Sequence, residues 1–407
     1  MIEPRPDWRR VKFGEVVRQI KDKVDPNISG LERFVAGEHM DSDDLRIRRW
    51  GDIGDGYLGP AFHMRFRPGQ VLYGSRRTYL RKVAVADFEG ICANTTFVLD
   101  SADPAVLRPE ILPFIMQTEA FHEHSRRESK GSVNPYVNFS DLAWYQFSLP
   151  SLQEQLRYCA ALSAAELAYQ SARDLATAAS CTADAFAAAA FRGEGMREMI
   201  PHPRLGLVSA DWPVMTIGSL TDSDQYGLST APQEDGQYPI LRMMNVVDGF
   251  VVENDLRYVD LPEEVFSTYR LESGDVLFNR TNSIDLVGRT GVYTLEGEHV
   301  FASYLVRLKV KRDILSPEYL TAYLNAPLGR QQVLSFATKA VSQANVSASN
   351  LARVLMPLPP RHIQDRIVAD LAHMKLAQDQ AMERAQRAVA VKRAMLQSLA
   401  VPLEAPQ

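Results

Sequence analysis

Ten consecutive residues, Tyr73-Gly74-Ser75-Arg76-Arg77-Thr78-Tyr79-Leu80-Arg81-Lys82, hold four basic and two aromatic side chains. A guanidinium is a planar, permanently charged fork that can pair bidentately with the O6/N7 edge of guanine or hold a phosphate. Arg76, Arg77, Tyr79, Arg81 and Lys82 are therefore candidate nucleic-acid contacts. The bland alternative is a solvated hairpin whose arginines lie along its own surface. Some 205 positions later stands Phe278-Asn279-Arg280-Thr281-Asn282-Ser283. Asparagine amides suit adenine N6/N7, although Asn and Ser are also ordinary turn formers. Asn279, Arg280, Thr281 and Asn282 are the candidates here. A second segment, 130–138, offers Lys130, Ser132, Asn134 and Tyr136, and its counterpart, 339–347, offers Lys339, Ser342, Gln343 and Asn345. Both carry a lysine, hydroxyls and amides; the competing reading is a capped surface loop.

Catalytic patterns are weak by comparison. There is no phosphate-binding Gly-x-x-x-x-Gly-Lys loop, no dinucleotide fingerprint, no His-Glu-x-x-His and no Gly-x-Ser-x-Gly elbow. Asn134-Pro135-Tyr136 approaches the Asn/Asp-Pro-Pro-Tyr motif of adenine methyltransferases but lacks one proline, and no glycine loop for S-adenosylmethionine precedes it. Glu128-Ser129-Lys130 could be the Glu-x-Lys half of a nuclease site, without the upstream Pro-Asp. His122 and His124 stand two apart on a predicted helix, a spacing that does not share one face. No cofactor or metal is expected in this chain.

The elements that must position the candidate loops occur twice. Asp7-Trp8 and Phe13-Gly14 match Asp211-Trp212 and Ile217-Gly218, and Gly69 with the strand after it matches Gly274. Leu142 to Leu149-Pro150 matches Leu351 to Leu358-Pro359, and the same shift pairs Gln155 with Gln364 and Arg157 with Arg366. A collinear series of this kind marks an internal repeat. Residues 83–86, 96–99 and 304–310 read as strands. Residues 109–116 and 317–324 read as helices opened by proline and an acidic residue. The repeated part is thus an α+β domain, at 1–150 and again at 205–358.

A long helix follows each copy. Residues 151–191 contain no Gly or Pro, and 15 of the 32 residues from Cys159 to Ala190 are alanine, the best helix former. Leu162, Ala165, Tyr169, Ala172, Ala176, Ala179, Ala183, Phe186 and Ala190 step by three and four, a seam of small residues that demands close approach by a partner helix. Arg192-Gly193 would end it. The second helix is predicted over about 361–400, with Ile367, Met374, Ala381, Ala388 and Met395 every seven residues. Each would run about 60 Å at 1.5 Å per residue. Antiparallel pairing of the two is the favoured reading; separate packing on the two domains is the other. The segments 151–204 and 359–407 hold these helices.

Composition sets the class. The 407 residues are 46% hydrophobic and 23% charged, as for a globular protein. No apolar run approaches membrane-spanning length and the N-terminus has no apolar signal core, so a cytoplasmic location is expected. Cys92, Cys159 and Cys181 are too scattered for a disulfide framework and read as buried or inert thiols. Net charge is −5; the first domain balances 21 basic against 21 acidic residues and the second has 12 against 18. Taken alone this argues against a nucleic-acid binder.

The repeat nevertheless resembles a known family, the specificity subunits of type I restriction–modification enzymes. The residues that carry the resemblance are Leu149-Pro150-Ser151-Leu152-Gln153-Glu154-Gln155-Leu156-Arg157, its second copy Leu358-Pro359-Pro360-Arg361-His362-Ile363-Gln364-Asp365-Arg366, the ending Ala190-Phe191-Arg192-Gly193-Glu194, and Gly274-Asp275-Val276-Leu277. The second copy lacks the Glu before its glutamine. The resemblance implies two tandem target-recognition domains, each reading one half of a split double-stranded DNA target, and two long helices that pair as an antiparallel coiled coil and dock methyltransferase subunits. It implies a non-catalytic chain: S-adenosylmethionine, ATP and Mg belong to the partner methyltransferase and restriction/translocase subunits. Gln155, Arg157, Gln364 and Arg366 would fix the domain–helix junctions. The competing functions are a coiled-coil scaffold whose repeats bind protein and an atypical DNA-modifying enzyme. The acidic balance then means that this chain supplies only part of the phosphate neutralisation that dominates DNA affinity. The isolated chain is expected to bind DNA weakly at physiological salt; a nanomolar, sequence-specific Kd measured by titration of the lone chain would overturn that.

Overall fold

The computed structural model describes residues 8–56, 58–196, 198–339 and 343–399. Contacts divide it into two compact units, one of residues 1–173 with 382–407 and one of residues 174–381. Each unit holds one α+β domain and half of each long helix.

The first domain is built on a sheet of β1 (Val17–Ile20), β2 (Val71–Gly74), β3 (Val83–Val85) and β4 (Thr96–Ser101), in the spatial order β1-β4-β2-β3. The central runs Val71–Tyr73, Val83–Val85 and Phe97–Leu99 are apolar at every position because both faces are covered. Val71, Tyr73, Phe97 and Leu99 face one core cluster, with Phe121 of helix α1 (Glu119–Arg127). Leu72 and Val98 face another, with Met40 and Phe66. Period-two alternation within a strand sends neighbouring side chains to opposite faces.

The strand that opens the domain pairs with the strand that closes it. Val11 lies opposite Phe147, so the chain returns to its starting edge just before helix α2 (Leu152–Arg192). A capping box starts α2: Glu154 accepts from the Ser151 N–H and hydroxyl at 3.2 and 2.9 Å, and the Glu154 N–H donates back to the Ser151 hydroxyl at 3.4 Å. The helix ends where expected. Gly193 has φ +72°, the Glu194 N–H bonds to the Ala189 carbonyl and the Gly193 N–H to that of Ala190, the Schellman pattern. A Cβ at Gly193 would also stand 2.7 Å from the Cβ of Ser209.

The second domain repeats the plan. Strands β5 (Thr221–Tyr226), β6 (Val276–Asn279), β7 (Thr290–Val292) and β8 (Leu305–Val310) take the order β5-β8-β6-β7, extended by Phe250–Val251 and Val246–Val247. Val276, Phe278, Val306 and Leu308 face the main core with Tyr319 and Tyr323 of helix α3 (Pro317–Asn325), and Leu277 and Leu305 face the other side. Met215 opposite Met356 closes the domain before helix α4 (Arg361–Leu399).

Within the first unit, the start of α2 and the end of α4 share one core, Cys159 and Leu162 with Leu399. Within the second, Ala187 and Phe191 from the end of α2 share a core with Ile363 and Ile367 from the start of α4. The helices therefore run antiparallel in each unit. The seam departs from its predicted register late in α2: Ala187 and Phe191 are buried, whereas Phe186 and Ala190 are only half-buried. A helix with 3.6 residues per turn drifts against a strict seven-residue repeat, so the contact line moves one position on. The seam also carries charge, since Lys392 pairs with Glu166, both largely buried. Cys92 and Cys159 are buried, with thiols pushed up by burial to about 12 and about 11. Cys181 is exposed on α2.

At each junction a glutamine is enclosed. The Gln155 amide accepts from the Arg108 N–H (2.9 Å) and donates to the carbonyls of Val106 (3.0 Å) and Pro150 (2.9 Å). Gln364 repeats the set with the Ser316 N–H (2.8 Å) and the carbonyls of Ile314 (2.8 Å) and Pro359 (2.9 Å). Arg157 and Arg366 correct the remaining junction expectation: both are exposed on the helices and contribute no such bond. Gln155→Ala or Gln364→Ala strands buried main-chain groups at about 1–3 kcal/mol each. Each variant should lose roughly 3 kcal/mol in urea unfolding, and unfolding curves that overlay the wild type would refute the role.

Candidate nucleic-acid interface

Sequence left the two candidate segments of each domain as separate loops; the fold joins them. In the first domain the Arg77 N–H donates to the Pro135 carbonyl (2.6 Å) and the Val137 N–H to that of Ser75 (3.0 Å). Arg76 pairs as a β-bridge with Tyr136, which also bridges to Lys130. The Thr78 and Ser129 hydroxyls meet at 2.7 Å. The Arg76 guanidinium lies 5.1 Å from the centre of the Tyr136 ring, so the two form a stacked plate. Arg77 adopts φ +49° and turns the chain outward. Arg76, Arg77, Tyr79, Lys130, Ser132, Asn134 and Tyr136 are all exposed on this platform. Lys130 donates to Asp141 at 2.9 Å, a bond that raises its pKa.

Two residues of the basic run are engaged elsewhere. Arg81 correction comes from its pairs with Asp43 (2.8 Å) and Glu119 (2.6 Å), which bind it to the domain's own carboxylates. Lys82 is half-buried and its ammonium donates to the Gly37 carbonyl. Burial, with Arg77 nearby, lowers its pKa.

The second domain builds the same platform from different side chains. Thr281–Asn282 pairs antiparallel with Ala344–Asn345, which pairs on its other side with Thr338–Lys339. The Asn345 amide donates to the Thr281 hydroxyl at 2.8 Å. Arg280 is half-buried over Tyr226, 4.8 Å from its ring centre, with its guanidinium turned toward Asn345 Oδ1 (3.4 Å) and the Ser303 carbonyl (3.5 Å). Gln343 is exposed and Asn282 half-buried. Ser342 lies outside the described residues, and only the main chain of Lys339 is placed. Asn279 is the correction here: it is fully buried at the end of β6 and does not face outward. Tyr226 and Tyr304, exposed at 41% and 50%, were missed; isolated aromatics at strand ends are the only sequence signal they give.

Of the two histidines among the minor catalytic candidates, one is partnered and one is not. His124 Nε2 sits 3.0 Å from the Asp141 carbonyl, and the His122 ring is buried without a partner for either nitrogen. Among the described residues no group of three His, Cys, Asp or Glu side chains is placed to hold a metal, and no helix is long and apolar enough to cross a membrane. Burial, aided by Arg81, pushes the His122 pKa down to about 4. The unfolded chain takes up that proton near pH 6.5, so stability is full above 6.5 and falls as pH drops toward 4. The loss is about 3 kcal/mol at most. His122→Leu should flatten this part of a stability-against-pH curve; a slope identical to wild type would disprove the assignment.

Comparison with known proteins follows the same lines. Residues 209–379 match the family model described as the type I restriction modification DNA specificity domain. The chain is 32% identical over 146 residues to the type I restriction enzyme EcoKI specificity subunit of Escherichia coli K12, covering 35% of this chain and 31% of that protein. It is 29% identical over 181 residues to the putative MjaX specificity subunit of Methanocaldococcus jannaschii, covering 43% and 42%. The matches thus span 31% and 42% of the length of those relatives. The fold extends over the whole chain. The type I restriction–modification S subunit of M. genitalium superposes with TM-score 0.60 at 12% identity, covering 99% of both chains. A chain from a study of complex assembly in a type I system gives TM-score 0.57 at 21% identity, covering 98% and 99%.

Proposed function

We propose that this chain, which belongs to the type I restriction–modification specificity-subunit family, is the non-catalytic subunit that reads a split DNA target, one half per domain. One observation carries this reading. The same main-chain platform, two paired loops beside β2 or β6, recurs in both domains with different side chains, exposed in the first and half-buried in the second. Arg76, Arg77 and Tyr136 stand in one where Thr281, Asn282 and Asn345 stand in the other. A repeated scaffold with exchanged side chains is what reading two unlike half-sites requires. Guanidinium donors favour guanine O6/N7, and amides, which donate and accept, favour adenine N6/N7.

In this reading α2 and α4 dock methyltransferase subunits. Those partners bring S-adenosylmethionine for methyl transfer, and a restriction subunit brings ATP and Mg. Double-stranded DNA is shared between them and this chain, in the cytoplasm of the host cell.

The side chains of Arg76, Arg77 and Lys130 are exposed, so changing all three to Ala should leave the melting temperature unaltered. Each good base contact contributes about 1–3 kcal/mol of discrimination. Methylation of the target by the assembled complex should therefore fall at least about tenfold, with relaxed preference in one half-site only. Unchanged rate and unchanged site preference would defeat the assignment.

A further inference from the structure

The second domain has a cleft of about 680 Å³, within the ~300–1,000 Å³ common for small-ligand sites. Pro232, Met243, Met244, Val246, Leu286 and Tyr304 give it apolar and aromatic walls. Asn279 also lines it. Alternation along β6 puts the Asn279 side chain on the face of Leu277, away from the main core of Val276 and Phe278. Asn279 is fully buried, and neither its amide nitrogen nor its amide oxygen has a hydrogen-bond partner. Buried polar groups are paired in nearly all proteins, so each exception calls for a cause. An apolar residue of the same size would be more stable there.

Little secures the residues around this amide. Asn282 touches Met243 through an Nδ2···Sδ contact of 3.5 Å, and a thioether is a weak acceptor on a flexible side chain. Tyr304 is half exposed and offers a stacking face. Arg289, which also lines the cleft, is exposed and its guanidinium forms no bond or ion pair among the described residues. The first domain has no counterpart. Gly74 stands at the position matching Asn279, and a Cβ there would already lie 3.2 Å from Lys82 Cβ and 3.7 Å from Met40 Cε.

An amide set this deep cannot reach a base edge inside a stacked duplex. A base can reach it only by leaving the stack. We propose that this cleft accepts one nucleobase swung out of the duplex, with the Asn279 amide pairing to its hydrogen-bonding edge and Tyr304 stacking on its face. Arg289 then supplies a cation for the displaced phosphate. The inference rests on the second domain being a DNA-reading domain.

The test uses the full chain assembled with its methyltransferase subunits, and duplexes carrying a mismatch at successive positions of the second domain's half-site. A mismatch lowers the cost of extrusion. At the extruded position it should tighten binding about five- to tenfold for wild type, whereas mismatches at positions read in the stack should weaken it. Asn279→Leu should abolish that gain while leaving any gain at the methylated base, and should melt no lower than wild type. The proposal is overturned if no mismatch gain depends on Asn279. It is equally overturned if Asn279→Leu lowers the melting temperature and leaves the mismatch profile intact, which would make the amide structural. A complex that binds every sequence alike would instead refute the DNA-reading function itself.

Discussion

A buried glutamine ends each domain and starts each helix, and the arrangement of everything else follows from how it is satisfied. Gln155 and Gln364 each use the amide oxygen for one main-chain N–H and the amide nitrogen for two carbonyls. One of those carbonyls belongs to the proline that breaks the closing strand; the others belong to the turn that precedes the domain's own helical segment. The side chain thus ties the helix to two stretches of chain that would carry three unpaired polar groups between them if it were absent. Because the opening strand also pairs with the closing strand, the direction in which the long helix leaves the domain is set by main-chain bonds. Exposed ion pairs such as Arg361 with Asp365 add little to such a joint.

The two copies differ where they meet the helices. In the first unit Asp44 is fully buried and receives the Arg46 N–H (3.0 Å), Arg48 (3.1 Å) and, from α2, Gln170 (2.6 Å) and Arg173. Burial alone would raise its pKa, but these bonds outweigh burial and hold the carboxyl below the usual carboxylate range. Removing one member would leave charge stranded, so the cluster fixes geometry more than it adds net stability. In the second unit the comparable contact is Lys375 with Asp248 at 3.4 Å, both well exposed. The first domain is therefore locked to its helix by desolvated charge, and the second chiefly by apolar packing around Phe191, Ile363 and Ile367.

Much of this was legible in sequence, for physical reasons that also explain what was not. An alanine-rich stretch without Gly or Pro has no alternative to helix, so α2 and α4 were placed within a residue or two. Buried strands such as Val71–Tyr73 and Leu305–Val310 show as short apolar runs. The platform escaped because its bonds join residues some 60 positions apart in the chain, and pairing at that distance leaves no local trace. Arg76 and Arg81 look alike in a list of basic residues. They part in their partners: the Arg76 guanidinium lies over Tyr136, whereas that of Arg81 pairs with Asp43 and Glu119. The Asp44 cluster was hidden for the opposite reason: a run as charged as Asp41 to Arg49 reads as solvated surface. Asn279 was misplaced because a turn-forming residue after a strand gives no sign of whether the strand has already ended.

Much of the basic charge of the first domain is cancelled within the domain. Arg48, Arg49, Arg65, Arg67, Arg81 and Arg108 in the first domain are all paired with carboxylates of the same domain. Arg76 and Arg77 form no ion pair among the described residues. Neutralised arginines contribute little to the counterion release that drives binding to any duplex. Free ones placed on a platform contribute mainly where a base edge or phosphate meets them in register. A domain that cancels much of its own basic charge in this way gains little non-specific affinity from it. Its few contacts then weigh heavily in the ratio of specific to non-specific binding, the quantity that decides whether one site is found among many. The net charge of −5 is compatible with DNA recognition on these terms.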